Sequence, residues 1–198
     1  MNNEKYQEYS AYNRAEIIEK MKQHLNDARF QHCLRVEETA IELAKENGVD
    51  ETIAGLAGLV HDYAKQRPRE DFIATIKENH LDENLLNYGP AIWHGVVGYL
   101  LIQTELKIND KRILDAVKYH TIANPKMDTY AQITYMADFI EPERSFSGVD
   151  EARQVTHQNL WDGVVYQNEN TMKFLIGKGN AIYPPALTAY NSIVGGIG

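Results

Sequence analysis

The sequence predicts an all-α fold: one globular domain of about nine helices. Three observations predict it. Apolar residues recur at helical spacing along nearly every segment. No stretch alternates apolar and polar residues over a strand's length, and no hairpin signal is found. Capping and stopping residues stand where one periodic run gives way to the next.

The elements follow in order. The opening "MNNEKYQEYSAYNRAEIIEK" is polar and charged, an arm leading into a first helix, with no apolar signal-peptide core. From Asp27 to Asn47, Phe30, Leu34, Val36, Ala40, Leu43 and Ala44 keep near one broad face. Gly48 suits the stop and Asp50 the cap of the next helix, "ETIAGLAGLVHDYAK". That helix is small and apolar, which makes it central, and its two glycines point to close backbone packing. Pro68 opens "PREDFIATIKEN" at a position where its missing N–H costs nothing. Pro90 starts "PAIWHGVVGYLLIQTEL", Asn109 caps "DKRILDAVKYHT", and Asp128 caps "TYAQITYMADFI", which Pro142 stops. A long amphipathic stretch runs from Glu151 to Ile176; "GKGNAIYPP" breaks it, and a short helix follows in "ALTAYNSIV". There is no internal repeat, low-complexity segment or clear linker.

Composition narrows the function. Hydrophobic residues form 43% of the 198, enough for a sizeable core. The net charge of −8 argues against general nucleic-acid binding, which needs a basic surface. A small phosphate ligand needs only a few local cations and stays open. A single cysteine, Cys33, excludes an internal disulfide and a Cys-rich zinc site, and suits a reducing cytosol. No apolar run approaches the ~20 residues of a membrane span. The expectation is a soluble, cytoplasmic protein with no membrane or nucleic-acid partner. Oligomeric state stays open, with the Tyr-rich N-terminal arm a candidate contact in a homodimer.

Histidines and aspartates stand near several helix ends: His32, the pair His61 and Asp62, His94, His120 and Asp138. A lone histidine on a partly apolar helix is most often a core or rim residue. Asp62 and Asp138 are harder to dismiss, because a carboxylate near a helix C-terminus meets the negative end of the dipole, at a cost of up to ~1 kcal/mol. Two such placements call for a compensating cation. Histidine plus aspartate without cysteine suits iron, manganese or zinc with open coordination positions. Adjacent helical residues diverge by about 100°, so His61 and Asp62 reach one ion only from a terminal or distorted turn. Cys33, one residue off His32, reads as a small core residue. His24, His80 and His157 lie in polar contexts and carry no assignment.

The order His…His-Asp…His…His…Asp across helices of this number and length resembles the HD-domain superfamily of metal-dependent phosphohydrolases, whose fold is an all-α helical array. "ARFQHCLRVEETAIELA", "AGLVHDYAK", "WHGVVGYLL", "YHT", "ITYMADFIEPERSFSGVDEAR" and "AIYPPALTAYN" look like its YqeK-type branch, the symmetrical bis(5′-nucleosyl)-tetraphosphatases, which split diadenosine tetraphosphate into two ADP. The match covers roughly Arg14 to Asn191. Cys33, where a hydroxyl residue is usual, and the Gly-Val-Val after His94 depart from the branch without touching a proposed ligand atom.

The resemblance implies a domain plan and a site. Residues 1–20 would form the arm and start of the first helix, 21–146 the metal-dependent core, and 147–198 a helical extension completing the nucleotide pocket. His32, His61, Asp62 and Asp138 would hold a metal, iron by preference, with manganese, zinc, cobalt or magnesium accepted by the same donors. It would supply hydroxide from bound water to attack phosphorus. His94 and His120 would contact phosphate or hold a second metal. Catalysis would rest on Asp62, Lys65, His94 and His120. Substrate would meet Arg29, Asp62, Lys65, His94, His120, Thr121, Asp138 and Arg144, with Ala181, Ile182, Tyr183, Pro184, Pro185 and Ala186 lining the nucleoside. Tyr183 looks exposed, and a plain turn at "AIYPP" is the competing reading. Lys65, as a helix-end lysine, and the arginines, as surface charges, have ordinary readings too. Arg67 and Arg69 are expected on a solvated face, and Arg35 in an ion pair within the bundle. The alternatives in function are another HD nucleotide phosphohydrolase, acting on deoxynucleotides or cyclic nucleotides, and a non-catalytic nucleotide-binding module.

Overall fold

The computed structural model describes residues 3–196, and every regular element among them is helical. Eleven α-helices are present among these residues: α1 (Arg14–Lys22), α2 (Asp27–Glu46), α3 (Glu51–Val60), α4 (Arg69–Glu78), α5 (Pro90–Val96), α6 (Gly98–Glu105), α7 (Lys111–Tyr119), α8 (Thr129–Ile140), α9 (Val149–Gln158), α10 (Leu160–Gly177) and α11 (Pro184–Ile193). Short 3-10 turns lie at Asn3–Tyr6 and Glu83–Asn87.

The count exceeds the expected nine because two long runs are broken. The run from Pro90 divides at Val97, and Gly98 begins α6 where a Cβ would lie 2.9 Å from that of Ala64. The run from Glu151 divides at Asn159, whose extended backbone ends α9 while its side chain accepts from Asp162 N and caps α10. Three boundaries also differ. Asp110, not Asn109, caps α7, Pro68 is the N-cap of α4 rather than its first residue, and the last helix starts at Pro184.

α3 is the central helix, with every residue from Ile53 to Val60 buried. It lies against α2 at backbone range. A Cβ on Gly58 would fall 2.9 Å from the Val36 carbonyl oxygen, and one on Gly55 would fall 2.8 Å from Ile41 Cγ1. The two glycines are therefore the means by which α2 and α3 meet. One apolar cluster gathers α1, α2, α3, α7 and α8; a second, around Phe72, Trp93 and Met172, underlies α5 and α11. The N-terminal arm folds onto its own core: Tyr6 is fully buried and donates to Glu37 at 2.6 Å, and Arg14 pairs with the same carboxylate. No helix among the described residues is long and apolar enough to cross a membrane.

Candidate metal centre

Five helix regions converge beneath one surface, and each delivers a ligand type for a local reason. His32 stands in the second turn of α2. α3 ends at Val60, and the chain beyond it tightens into bonds from Tyr63 N to Val60 O and Lys65 N to Asp62 O. That tightening turns His61 and Asp62 toward a common point, as their adjacency requires. His94 lies in α5, His120 follows the end of α7, and Asp138 lies two residues before the end of α8.

The distances define a cluster. His32 Nε2 is 3.0 Å from Asp138 Oδ1 and 3.9 Å from Asp62 Oδ2. His61 Nε2 is 3.5 Å from Asp62 Oδ2 and 3.8 Å from Asp138 Oδ1. Ligand atoms about 2.1 Å from one ion lie about 3.0–3.4 Å apart; the His32–Asp138 pair has that spacing, and His32, His61 and Asp62 form one group that could hold an ion. Asp62 also faces the other way: its Oδ1 is 3.3 Å from His94 Nε2 and 3.6 Å from His120 Nε2.

Tautomers follow from the outer nitrogens. Nδ1 of His61 meets the Gly58 carbonyl at 2.7 Å, that of His120 the Val117 carbonyl at 2.6 Å, and that of His94 the Pro90 carbonyl at 2.8 Å. Nδ1 of His32 meets Glu141 Oε1 at 3.1 Å. All four partners only accept, so each Nδ1 carries a proton and each ring turns its Nε2 inward, where a cation can take its lone pair. Nε2 of His32, His61 and His120 and Oδ1 of Asp62 are buried without a hydrogen-bond partner. Converging acceptors of this kind are reconciled by a cation, and the donor set fits a divalent metal.

The charges agree. Burial opposes ionisation of Asp62 and Asp138, yet neighbouring histidines hold both carboxyls well below their ordinary range. Burial pushes His94 down to about 3, against the pull of Asp62, so it is neutral. Burial also works against a charge on His61, but Asp62 and Asp138 raise its pKa.

Every cation expected at the site is beside it. Lys65 Nζ donates to His94 Nε2 at 2.9 Å and lies 3.8 Å from Asp62 Oδ1. Arg29 donates to Asp62 Oδ2 at 2.9 Å. Arg144 donates to the Asp138 carbonyl at 2.8 Å and to its carboxylate, offsetting the helix-end charge there. A polar cleft of about 290 Å³ opens beside them, walled by Arg29, His32, Arg35, Arg144, Glu141 and Glu143.

The late segment divides. Ala181, Tyr183 and Ala186 join Thr121, Ile92 and Asn168 around a narrow cavity of about 40 Å³. Pro184 and Pro185 instead face a larger outer cleft with Tyr88 and Lys126, and Ile182 packs against the second apolar cluster. Tyr183 is buried, not exposed, with its ring edge-on to Tyr88 at 4.9 Å. The solvated face expected for Arg67 is also corrected. It pairs with Glu105 and lies over Tyr63, while Arg69 lies over Trp93 at 4.4 Å. Arg35 pairs with Glu141 at 2.6 Å, and Cys33 is a buried core residue.

Two residues carry weight that the sequence did not reveal. Glu141 is buried and held down to about 2, where burial would raise it, by Arg35, the Glu143 N–H and His32. Arg153 donates to the carbonyls of Ile140 (3.1 Å), Glu141 (3.0 Å), Pro142 (3.3 Å) and Arg144 (2.9 Å), so the loop bearing Glu141 and Arg144 is wrapped on one guanidinium. The available signals were a histidine whose Nδ1 needs an acceptor and an acid just beyond Asp138.

Comparison with known proteins gives the same outline. A model of the HD domain matches residues 29–143. A Bacillus subtilis symmetrical bis(5′-nucleosyl)-tetraphosphatase is 40% identical over 184 residues, covering 93% of this chain and 99% of that protein. A protein of the same name from Halalkalibacterium halodurans is 36% identical, covering 92% and 97%. The crystal structure of a predicted HD superfamily hydrolase involved in NAD metabolism from Clostridium acetobutylicum superposes with a TM-score of 0.87 at 32% identity, covering 92% and 97%.

Proposed function

This chain belongs to the HD-domain family, and from that premise we propose that it is a metal-dependent hydrolase cleaving diadenosine tetraphosphate and related dinucleoside polyphosphates symmetrically, with ADP as product. The observation that carries the reading is the convergence of unpartnered Nε2 atoms and two carboxylates, in a chain matching symmetrical tetraphosphatases over nearly its whole length.

His32, His61, Asp62 and Asp138 would hold the metal, iron in our reading, and a reducing cytoplasm would keep it ferrous. When bound it supplies Lewis-acid polarisation of the phosphoryl group and a water acidic enough to attack at neutral pH. The chain does the rest. Asp62 spans the two histidine pairs and orients both carboxylate oxygens. Lys65 is poised by neutral His94 to hand its charge to a phosphate oxygen, and Arg29 and Arg144 neutralise the remaining phosphates. Asp62, His94 and His120 could also hold an ion, but the ammonium beside His94 favours phosphate contact for His94 and His120. The helical extension from residue 147 would complete the pocket, with Ala181, Tyr183 and Ala186 beside Thr121 bordering one nucleoside at a narrow cavity.

The test is incubation of anaerobically purified, iron-loaded protein with diadenosine tetraphosphate, followed by nucleotide separation. ADP alone is expected. ATP plus AMP, or no turnover with metal confirmed bound, would refute the reading, and preference for deoxynucleotides or cyclic nucleotides in the same assay would favour another HD activity.

A further inference from the structure

A substrate with identical nucleosides on both sides of its central anhydride needs two base seats, and the reading above assigns one. A second cleft, of about 380 Å³, lies between the end of α8, the loop after it and α10. Its walls are Phe139, Phe146, Tyr166 and Phe174, with Asn170 and Ser147 among them. We propose that this aromatic cleft seats the second nucleobase of the dinucleoside polyphosphate, an inference that rests on the function proposed above.

Position supports it first. Phe139 follows Asp138 directly, and Phe146 stands two residues beyond Arg144, at most about 7 Å of chain. The cleft therefore adjoins, along the chain, the segment that carries Asp138 and Arg144. The chemistry agrees. Phe139 and Phe146 are tilted against each other with centroids 4.6 Å apart, while Phe146 is 38% and Phe174 59% exposed. Exposed rings of this size around one cleft suit stacking on a flat aromatic ligand. Asn170 donates to the Tyr166 carbonyl at 2.8 Å, which leaves its Oδ1 as an acceptor for an exocyclic amine.

The seat is also held in place. Tyr166 OH donates to Glu151 at 2.9 Å and reaches the Gly148 carbonyl at 3.3 Å, and Arg153 fixes the preceding loop. The polar cleft walled by Arg29, Arg35 and Arg144 carries no Phe, Tyr or Trp, and its cations suit phosphate.

The experiment separates this seat from the reaction. Binding of a diadenosine tetraphosphate analogue with methylene in place of the central bridging oxygen is measured by calorimetry on metal-loaded protein. It is compared with the analogue lacking one adenosine. Phe146→Ala with Phe174→Ala should weaken the two-nucleoside analogue at least about fivefold, the scale of one lost stacked base. It should leave the one-nucleoside analogue unchanged, and Phe146→Tyr with Phe174→Tyr should restore binding. Equal weakening of both analogues, or of neither, would overturn the inference. Wild-type protein that binds the two-nucleoside analogue more tightly than the other, loses that advantage in the double alanine variant, and still fails to cleave diadenosine tetraphosphate would refute the activity and leave the seat standing.

Discussion

At Glu141 one carboxylate serves three donors: His32 Nδ1, Arg35 Nε and the Glu143 N–H. It decides which His32 nitrogen faces Asp62 and Asp138. Glu141→Gln keeps the size but adds an N–H donor, so the ring is no longer forced to present a bare Nε2. Metal affinity should fall about 10–100-fold, read by competition titration, with the melting temperature as the fold control. An unchanged affinity would remove Glu141 from the site. The same residue gives a pH prediction. Its folded pKa is about 2 against 4.5, and that of His94 is about 3 against 6.5. In both cases the folded state binds fewer protons than the unfolded chain. The stability tied to His94 is whole above 6.5 and fades toward 3, and that tied to Glu141 is whole above 4.5 and fades toward 2. Metal-free protein should therefore melt lower as pH drops from 6.5, and Glu141→Gln should flatten the portion below 4.5. A calorimetric melting point that rises with acid would contradict this. The convergence of His32, His61, Asp62, His94, His120 and Asp138 was legible because their order is specific. Glu141 was not, because an acid before proline at a helix end looks like any surface residue.

At the scale of the element, α3 positions His61 and Asp62 only because α2 lies close enough to bring His32 opposite them. Gly58 sets that approach. An added methyl meets a backbone oxygen at 2.9 Å, not a side chain that can rotate away. Gly58→Ala should cost about 1–3 kcal/mol in a urea melt and weaken metal binding in the same variant. Loss of stability with metal affinity intact would mean that the helix spacing does not tune the site. The small, apolar composition of α3 made this packing readable beforehand. The breaks at Val97 and Asn159 were not, since the apolar stripe runs through both. Helical periodicity reports the buried face and is blind to a change of direction that preserves it. Asn159 carries a usable sign in its cap onto Asp162 N, but an asparagine inside an amphipathic run serves equally well as a solvated surface residue.

For the whole molecule, the plan of the fold was written in periodicity and caps, whereas the clefts were not, because a cleft is defined by residues far apart in the chain. Phe139, Phe146 and Phe174 meet across α8, α10 and the loop between α8 and α9, and nothing local marks them as neighbours. The metal site has the same long-range character. Its four proposed ligands come from α2, the turn after α3, and α8, and no unfolded chain holds them together. A cation that binds only the folded state stabilises it by about 2.7 kcal/mol at one hundred times its dissociation constant. In a domain of this size that corresponds to a rise of about 5–11 °C in melting temperature. Ferrous or another divalent metal should produce that rise in wild-type protein, and chelation should reverse it. Asp138→Ala, at the proposed ligand whose side chain is 21% exposed, should fold but show no rise. An equal rise in that variant would place the bound metal elsewhere. A rise absent from the wild type, with stability otherwise normal, would leave the converging acceptors without the cation that their geometry demands.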